Sequence, residues 1–136
     1  MAKSKAHLDE YVSFPISELL KKLGFNWECD HYYRYDRTSI QTVSPSENWN
    51  QDDYLCSAPT LASAQKWLRE EYGIHADAVP TSNRYWRWKA RITQLSYIEG
   101  KQSPKIVDVF TTYEVALEAA IKEAVQYIET KKQIMQ

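Results

Sequence analysis

Apolar residues at Ile16, Leu19, Leu20 and Leu23 fall three and four positions apart, the spacing of one helix face, and predict a first helix at about 15–23. Pro15 sits where a helix can begin without losing a hydrogen bond. Gly24 followed by Phe25 reads as a left-handed stop whose apolar residue folds back on the last turn. Leu61, Ala64, Leu68 and Tyr72, with Trp67 beside them, predict a second helix at about 60–72, closed by Gly73 and Ile74 in the same style. The third is the longest: Ala116, Leu117, Ala120, Ile121, Ala124 and Ile128 make one stripe after Tyr113 and predict a helix at 112–129. Thr111 and Glu114 form a capping-box pattern at its start, and Lys131 and Lys132 lie at its end, where cations suit the helix dipole.

Between these stripes the period drops to two. His31 to Tyr35 and Thr38 to Val43 read as a hairpin turning near Asp36-Arg37, and a short sheet segment is expected around Ile74 to Val79. From Arg84 to about Ile98 a strand is expected, with Trp86, Trp88, Ala90 and Ile92 on one face and Arg87, Lys89, Arg91 and Thr93 on the other. Lys105 to Phe110 reads as the last strand, reached through a turn at 99–104. Ser44 to Asp53 is rich in turn residues and reads as an exposed loop from which Trp49 stands out.

One pattern occurs twice: a strand, a threonine, then a helix with alanine four residues after the threonine. It joins Tyr54-Leu55-Cys56 to Thr60 and Ala64, and Val107 to Phe110 to Thr112 and Ala116. Short strands interspersed with three helices predict an α+β fold, a small antiparallel or mixed sheet with helices packed on it as an α/β/α sandwich. The expected organisation is a loose lead-in at 1–13, a single domain at 14–130 and a tail at 131–136.

Composition narrows the function classes. With 136 residues, 43% of them hydrophobic and 26% charged, the chain has the make-up of a folded globular domain. The net charge of −1 removes any global attraction to nucleic acid, so such binding needs a local patch. No apolar run approaches the roughly 20 residues of a membrane span, and Met1-Ala2-Lys3-Ser4-Lys5 leads into no apolar segment; a cytoplasmic location is expected. Cys29 and Cys56 are too few for a disulfide framework and read as free thiols.

Catalytic and metal chemistry finds little footing. Cys29, His31, Cys56 and His75 are suitable zinc ligands or a thiol with its base, yet their spacing matches no knuckle and no glycine-rich oxyanion turn accompanies either thiol. Asp52 and Asp53 are neighbours in a turn rather than facing carboxylates, and Gly24, Gly73 and Gly100 are each explained by a stop or a turn, leaving no phosphate loop. The chain is therefore expected to be no enzyme and to carry neither metal nor cofactor.

Two surfaces are candidates for binding. Tyr85, Arg87, Lys89 and Arg91 form a basic ridge with an adjacent aromatic, suited to phosphates and base stacking; equally, they are the solvent face of an amphipathic strand, or pair with acids among Glu28, Asp30, Asp36, Glu47, Asp52 and Asp53. Tyr32, Tyr33, Tyr35, Trp49 and Tyr54 crowd one stretch, as a core or as a protein-recognition surface. Tyr32 and Tyr33 must point to opposite sides of a strand.

The segments Ala58-Pro59-Thr60-Leu61-Ala62-Ser63-Ala64-Gln65-Lys66-Trp67-Leu68 and Phe110-Thr111-Thr112-Tyr113-Glu114-Val115-Ala116-Leu117 resemble small phage and prophage proteins of the "ABA sandwich" type, over roughly residues 14–129. That resemblance implies helices on a small antiparallel sheet and an accessory role in a mobile element, with no established activity. A second resemblance, confined to Phe110–Ala120, is to HicB-type antitoxins. The expected function is a non-enzymatic interaction module with a protein partner, the alternative a nucleic-acid-binding accessory protein using residues 84–93.

Overall fold

The structure, a computed structural model, describes residues 10–81, 87–95 and 104–134. It is α+β, with three helices and antiparallel strands, as the periodicities predict. The chain forms two compact units, residues 1–60 and 61–136. Each has its own antiparallel sheet, with three strands among the described residues, where a single sheet was expected.

In the first unit, helix α1 (Phe14–Leu23) has Pro15 in its first turn and ends at Gly24 with φ 98°. The Gly24 N–H donates to Lys21 O and the Phe25 N–H to Leu20 O, the paired bonds of a Schellman stop, and Phe25 is buried as that motif requires. Strand β1 (Cys29–Arg34) lies between β2 (Arg37–Glu47) and β3 (Leu55–Ser57), antiparallel to both. Tyr33, Cys56 and Ala58 form a small core against Phe14 and Ile40. Tyr11 and Val12, assigned to a loose lead-in, are docked: Tyr11 bridges to Thr60, and Val12, fully buried, donates its N–H to Pro59 O at 3.0 Å.

Residues 44–53 are not the loop expected of them. β2 continues to Glu47, and a 3₁₀ turn (Trp49–Gln51) follows, capped by the Asn48 side chain.

The second unit runs helix α2 (Leu61–Tyr72), strands β4 (Ile74–Pro80), β5 (Trp88–Gln94) and β6 (Lys105–Phe110), then helix α3 (Tyr113–Ile134). The strands form an antiparallel meander in chain order. Alternation puts Ile74 and Ala76 of β4 with Ala90 and Ile92 of β5 on one buried face, and α2 and α3, touching each other, both pack on β4. This unit is accordingly two-layered. Ala64, Ala116, Ala120 and Ala124 are wholly buried at the helix contacts, where only a methyl group lets helix and sheet approach so closely.

The strand-threonine-helix repeat is real, with two refinements. Thr112, not Thr111, caps α3, its hydroxyl accepting the Val115 N–H at 3.1 Å. α3 also continues past 129 to Ile134, into the residues assigned to a tail. Gly73, at φ 65°, stops α2 with a single bond to Arg69 O, the simpler left-handed motif rather than a copy of the Schellman stop at Gly24. The strand expected at 84–98 is shorter, β5 covering Trp88–Gln94 with Arg87 and Leu95 outside it, while Arg84 and the turn at 99–103 lie outside the described residues. No described helix is long and apolar enough to cross a membrane.

Candidate functional site

The two thiols share the first sheet, Cys29 on β1 and Cys56 on β3, and both are buried. Burial is the main cause that pushes Cys29 up to about 12 and Cys56 to about 11. Thiols so placed stay protonated at neutral pH and are poor nucleophiles and poor metal ligands. His31 is held elsewhere, with Nδ1 2.8 Å from Asp30 Oδ1 and its ring against Tyr11 at 4.2 Å. His75 is on β4 of the other unit, with Nε2 3.7 Å from Asp77. Among the described residues no three His, Cys, Asp or Glu side chains gather as metal ligands.

The basic ridge loses the charge at its end, Arg91. Arg91 donates from Nε and Nη2 to the two carboxylate oxygens of Asp77 at 3.0 and 2.8 Å, directly across from β5 to β4. This bidentate pair is the internal neutralisation weighed from the sequence, with a different partner: the acid is Asp77 on the adjacent strand, not one of those at 28–53. Lys89 is half-buried between Val79 and Val109, and Arg87 is exposed. Tyr85 lies outside the described residues.

The aromatic cluster separates into braces and an exposed ledge. Tyr33 belongs to the core, 8% exposed, with its hydroxyl donating to Val12 O at 2.7 Å, so it is no surface contact. Alternation sends it inward and Tyr32 to the opposite face, where Tyr32 packs on Trp49 with ring centroids 4.8 Å apart. Trp49, expected to stand free, is half-buried, with Nε1 donating to Cys29 O at 2.6 Å and its backbone N–H donating to Ser57 Oγ at 3.0 Å. Both rings are structural braces.

Tyr35 and Tyr54 remain. Tyr54 is 78% exposed and Tyr35 39% exposed. With Arg34 and Asp36 they line an open recess of about 500 Å³. Tyr35 closes the β1 side, donating its N–H to Tyr54 O at 3.1 Å, with Phe14 edge-on to its ring at 5.6 Å and the Lys21 ammonium 5.2 Å from the ring centre. Burial first, then the neighbouring Cys56 and Glu18, pushes its hydroxyl up to about 12, so it stays a hydrogen-bond donor. Arg34 and Asp36 pair through two bonds of 3.1 and 3.0 Å across the hairpin turn.

The segment bearing Tyr54 is fixed from behind. Lys21, on α1, donates from Nζ to Asp52 O at 2.8 Å and Leu55 O at 2.7 Å. Asn50 ties the 3₁₀ turn down twice, donating from Nδ2 to Phe25 O at 2.9 Å and accepting the Ser57 N–H at 2.8 Å. Asp52 accepts the Tyr54 N–H at 2.8 Å. Lys21, Asn50 and Phe14 are residues that sequence reasoning missed. For Lys21 the only signal is its place next to the α1 stop, and a lysine near a helix end ordinarily reads as a solvated charge.

No family model, curated protein or solved structure matches the chain.

Proposed function

We propose that the protein is a non-enzymatic interaction module that engages a protein partner through the recess between Tyr35 and Tyr54. One observation carries this reading: Tyr54 is almost fully exposed on a segment held by bonds from Lys21, Asn50 and Asp52. An exposed aromatic ring on a fixed base gives up little freedom on binding, the property that makes tyrosine a frequent anchor at interfaces. Asp52 and Asp53, just before Tyr54 in the chain, are exposed, Asp36 is paired with Arg34, and Lys21 donates to backbone carbonyls. Such a surface suits a partner segment bearing lysine or arginine, which the ring faces and carboxylates receive together. A role in a phage or other mobile element accords with the sequence resemblance. The nucleic-acid reading has less to stand on, because one of the three charges of its ridge, Arg91, is committed to Asp77.

The test is capture of partners from host cells by the wild type, by Tyr54→Ala and by Tyr113→Ala, the last a 39% exposed tyrosine in the other unit. Partners held by the wild type and by Tyr113→Ala, but lost with Tyr54→Ala and weakened by salt, are the expected result. Identical partner sets for all three proteins contradict the reading.

A further inference from the structure

The second unit has a small cavity that its architecture does not require. It opens where the end of α2 meets the last turns of α3, with a volume of about 230 Å³. Ile74 and Ile128, both nearly fully buried, lie at its base. Tyr72 and Tyr127 supply aromatic lining. Lys132 holds its ammonium 5.5 Å from the Tyr72 ring centre and Lys131 holds its own 5.3 Å from that of Tyr127. Gln94 donates its side-chain N–H to the Tyr127 hydroxyl, which leaves the hydroxyl hydrogen free to donate.

Charge decides the kind of occupant. Neither Lys131 nor Lys132 is ion-paired among the described residues, in contrast to Lys66 with Glu70 and Lys105 with Glu123. Two like charges on adjacent residues repel, and an anion between them relieves that repulsion. The α2 carbonyls that would oppose an anion are partly satisfied: Arg69 O accepts the Gly73 N–H, and Gly73 O accepts the Leu95 N–H at 2.7 Å. The apolar base excludes a bare, strongly hydrated ion and favours a ligand with a flat or aliphatic body. We infer that this cavity binds a small organic anion, a carboxylate or phosphate ester, with its charge at Lys131 and Lys132, its body against Tyr72 and Tyr127, and the Tyr127 hydroxyl donating to it. This site is independent of the recess in the first unit.

Phenyl phosphate, inorganic phosphate and benzyl alcohol are suitable probes, titrated into isotope-labelled protein with the amide resonances followed by NMR. Phenyl phosphate should give saturable shifts at Gly73, Gln94 and 128–132. Its binding should weaken about fivefold in K131Q/K132Q, the size expected for two exposed charges, and also in Tyr127→Phe, which keeps the ring and removes the donor. Benzyl alcohol binding should not change in K131Q/K132Q. Near-UV circular dichroism checks that the variants remain folded. Absence of saturable shifts at these amides, unchanged phenyl phosphate binding in folded K131Q/K132Q, or equal binding of inorganic phosphate would each overturn the inference.

Discussion

The two units of this chain hold themselves together by different means. In the second, alanines bring two helices onto one face of a meander, and the core is mostly aliphatic, with Leu68, Ile92, Leu117 and Ile121 in it and Trp67 also buried. In the first, Val12, Ile16, Leu20, Leu23 and Phe25 are buried as well as the small cluster around Tyr33, and part of the order comes from side chains reaching backbone carbonyls: Tyr33 to Val12, Trp49 to Cys29, Asn50 to Phe25, Lys21 to Asp52 and Leu55. Close packing tolerates little change of volume, whereas hydrogen-bonded struts can position an irregular segment that has too few apolar residues to bury. The recess between Tyr35 and Tyr54 lies on the strutted unit, and the surface helices of the other unit belong to regular elements.

Four changes bear on that contrast. The largest effect is expected from Ile121→Ala in α3, about 3 kcal/mol of stability lost through burial and cavity terms, measured by urea unfolding. A loss below about 1 kcal/mol would mean that the second unit does not rest on its packing. Tyr33→Phe keeps the ring and removes only the hydroxyl that meets Val12 O; about 1.5 kcal/mol should go, since a buried carbonyl is left without its donor. Thr112→Ala removes the cap of α3 and should cost about 1 kcal/mol, with Thr111→Ala close to neutral.

The fourth change concerns pH. Burial holds the Cys29 and Cys56 thiols at about 12 and 11, above their ordinary 9.0. The native state keeps protons that the unfolded chain releases, so this contribution to stability is fully present below pH 9 and is lost as pH rises toward 11 and 12. Below pH 9 the thiols should not alter stability with pH. At pH 8 a thiol reagent should label the native protein no faster than it unfolds. Rapid labelling of either cysteine would return a reactive thiol to consideration.

What the sequence made legible follows the same division. The helices of the second unit were readable because an alanine and leucine stripe repeats with helical period, and the Arg87, Lys89, Arg91 alternation showed one face of β5 correctly. Arg91's partner was not readable: Asp77 lies fourteen positions earlier in the chain, and only strand pairing sets them opposite. In the first unit, Asn48, Asn50, Asp52 and Asp53 signalled turns, and turn composition ordinarily means exposure. Here Asn48, Asn50 and Asp52 are the fasteners, so Trp49 was mistaken for a free ring and Tyr54 could not be told apart from it. Two sheets rather than one also left no mark, because strand count and period are the same in either arrangement.

Amide hydrogen exchange across residues 48–57, compared between the wild type and Lys21→Met, tests most directly whether the Tyr54 segment is a fixed platform. The wild type should protect the Leu55 amide, bonded to Asp52 O, and the Ser57 amide, bonded to Asn50 Oδ1. Lys21→Met should speed exchange there about tenfold or more while the β4 and β5 amides keep their rates. Free-peptide exchange of this segment in the wild type, or no change in Lys21→Met, would contradict the account.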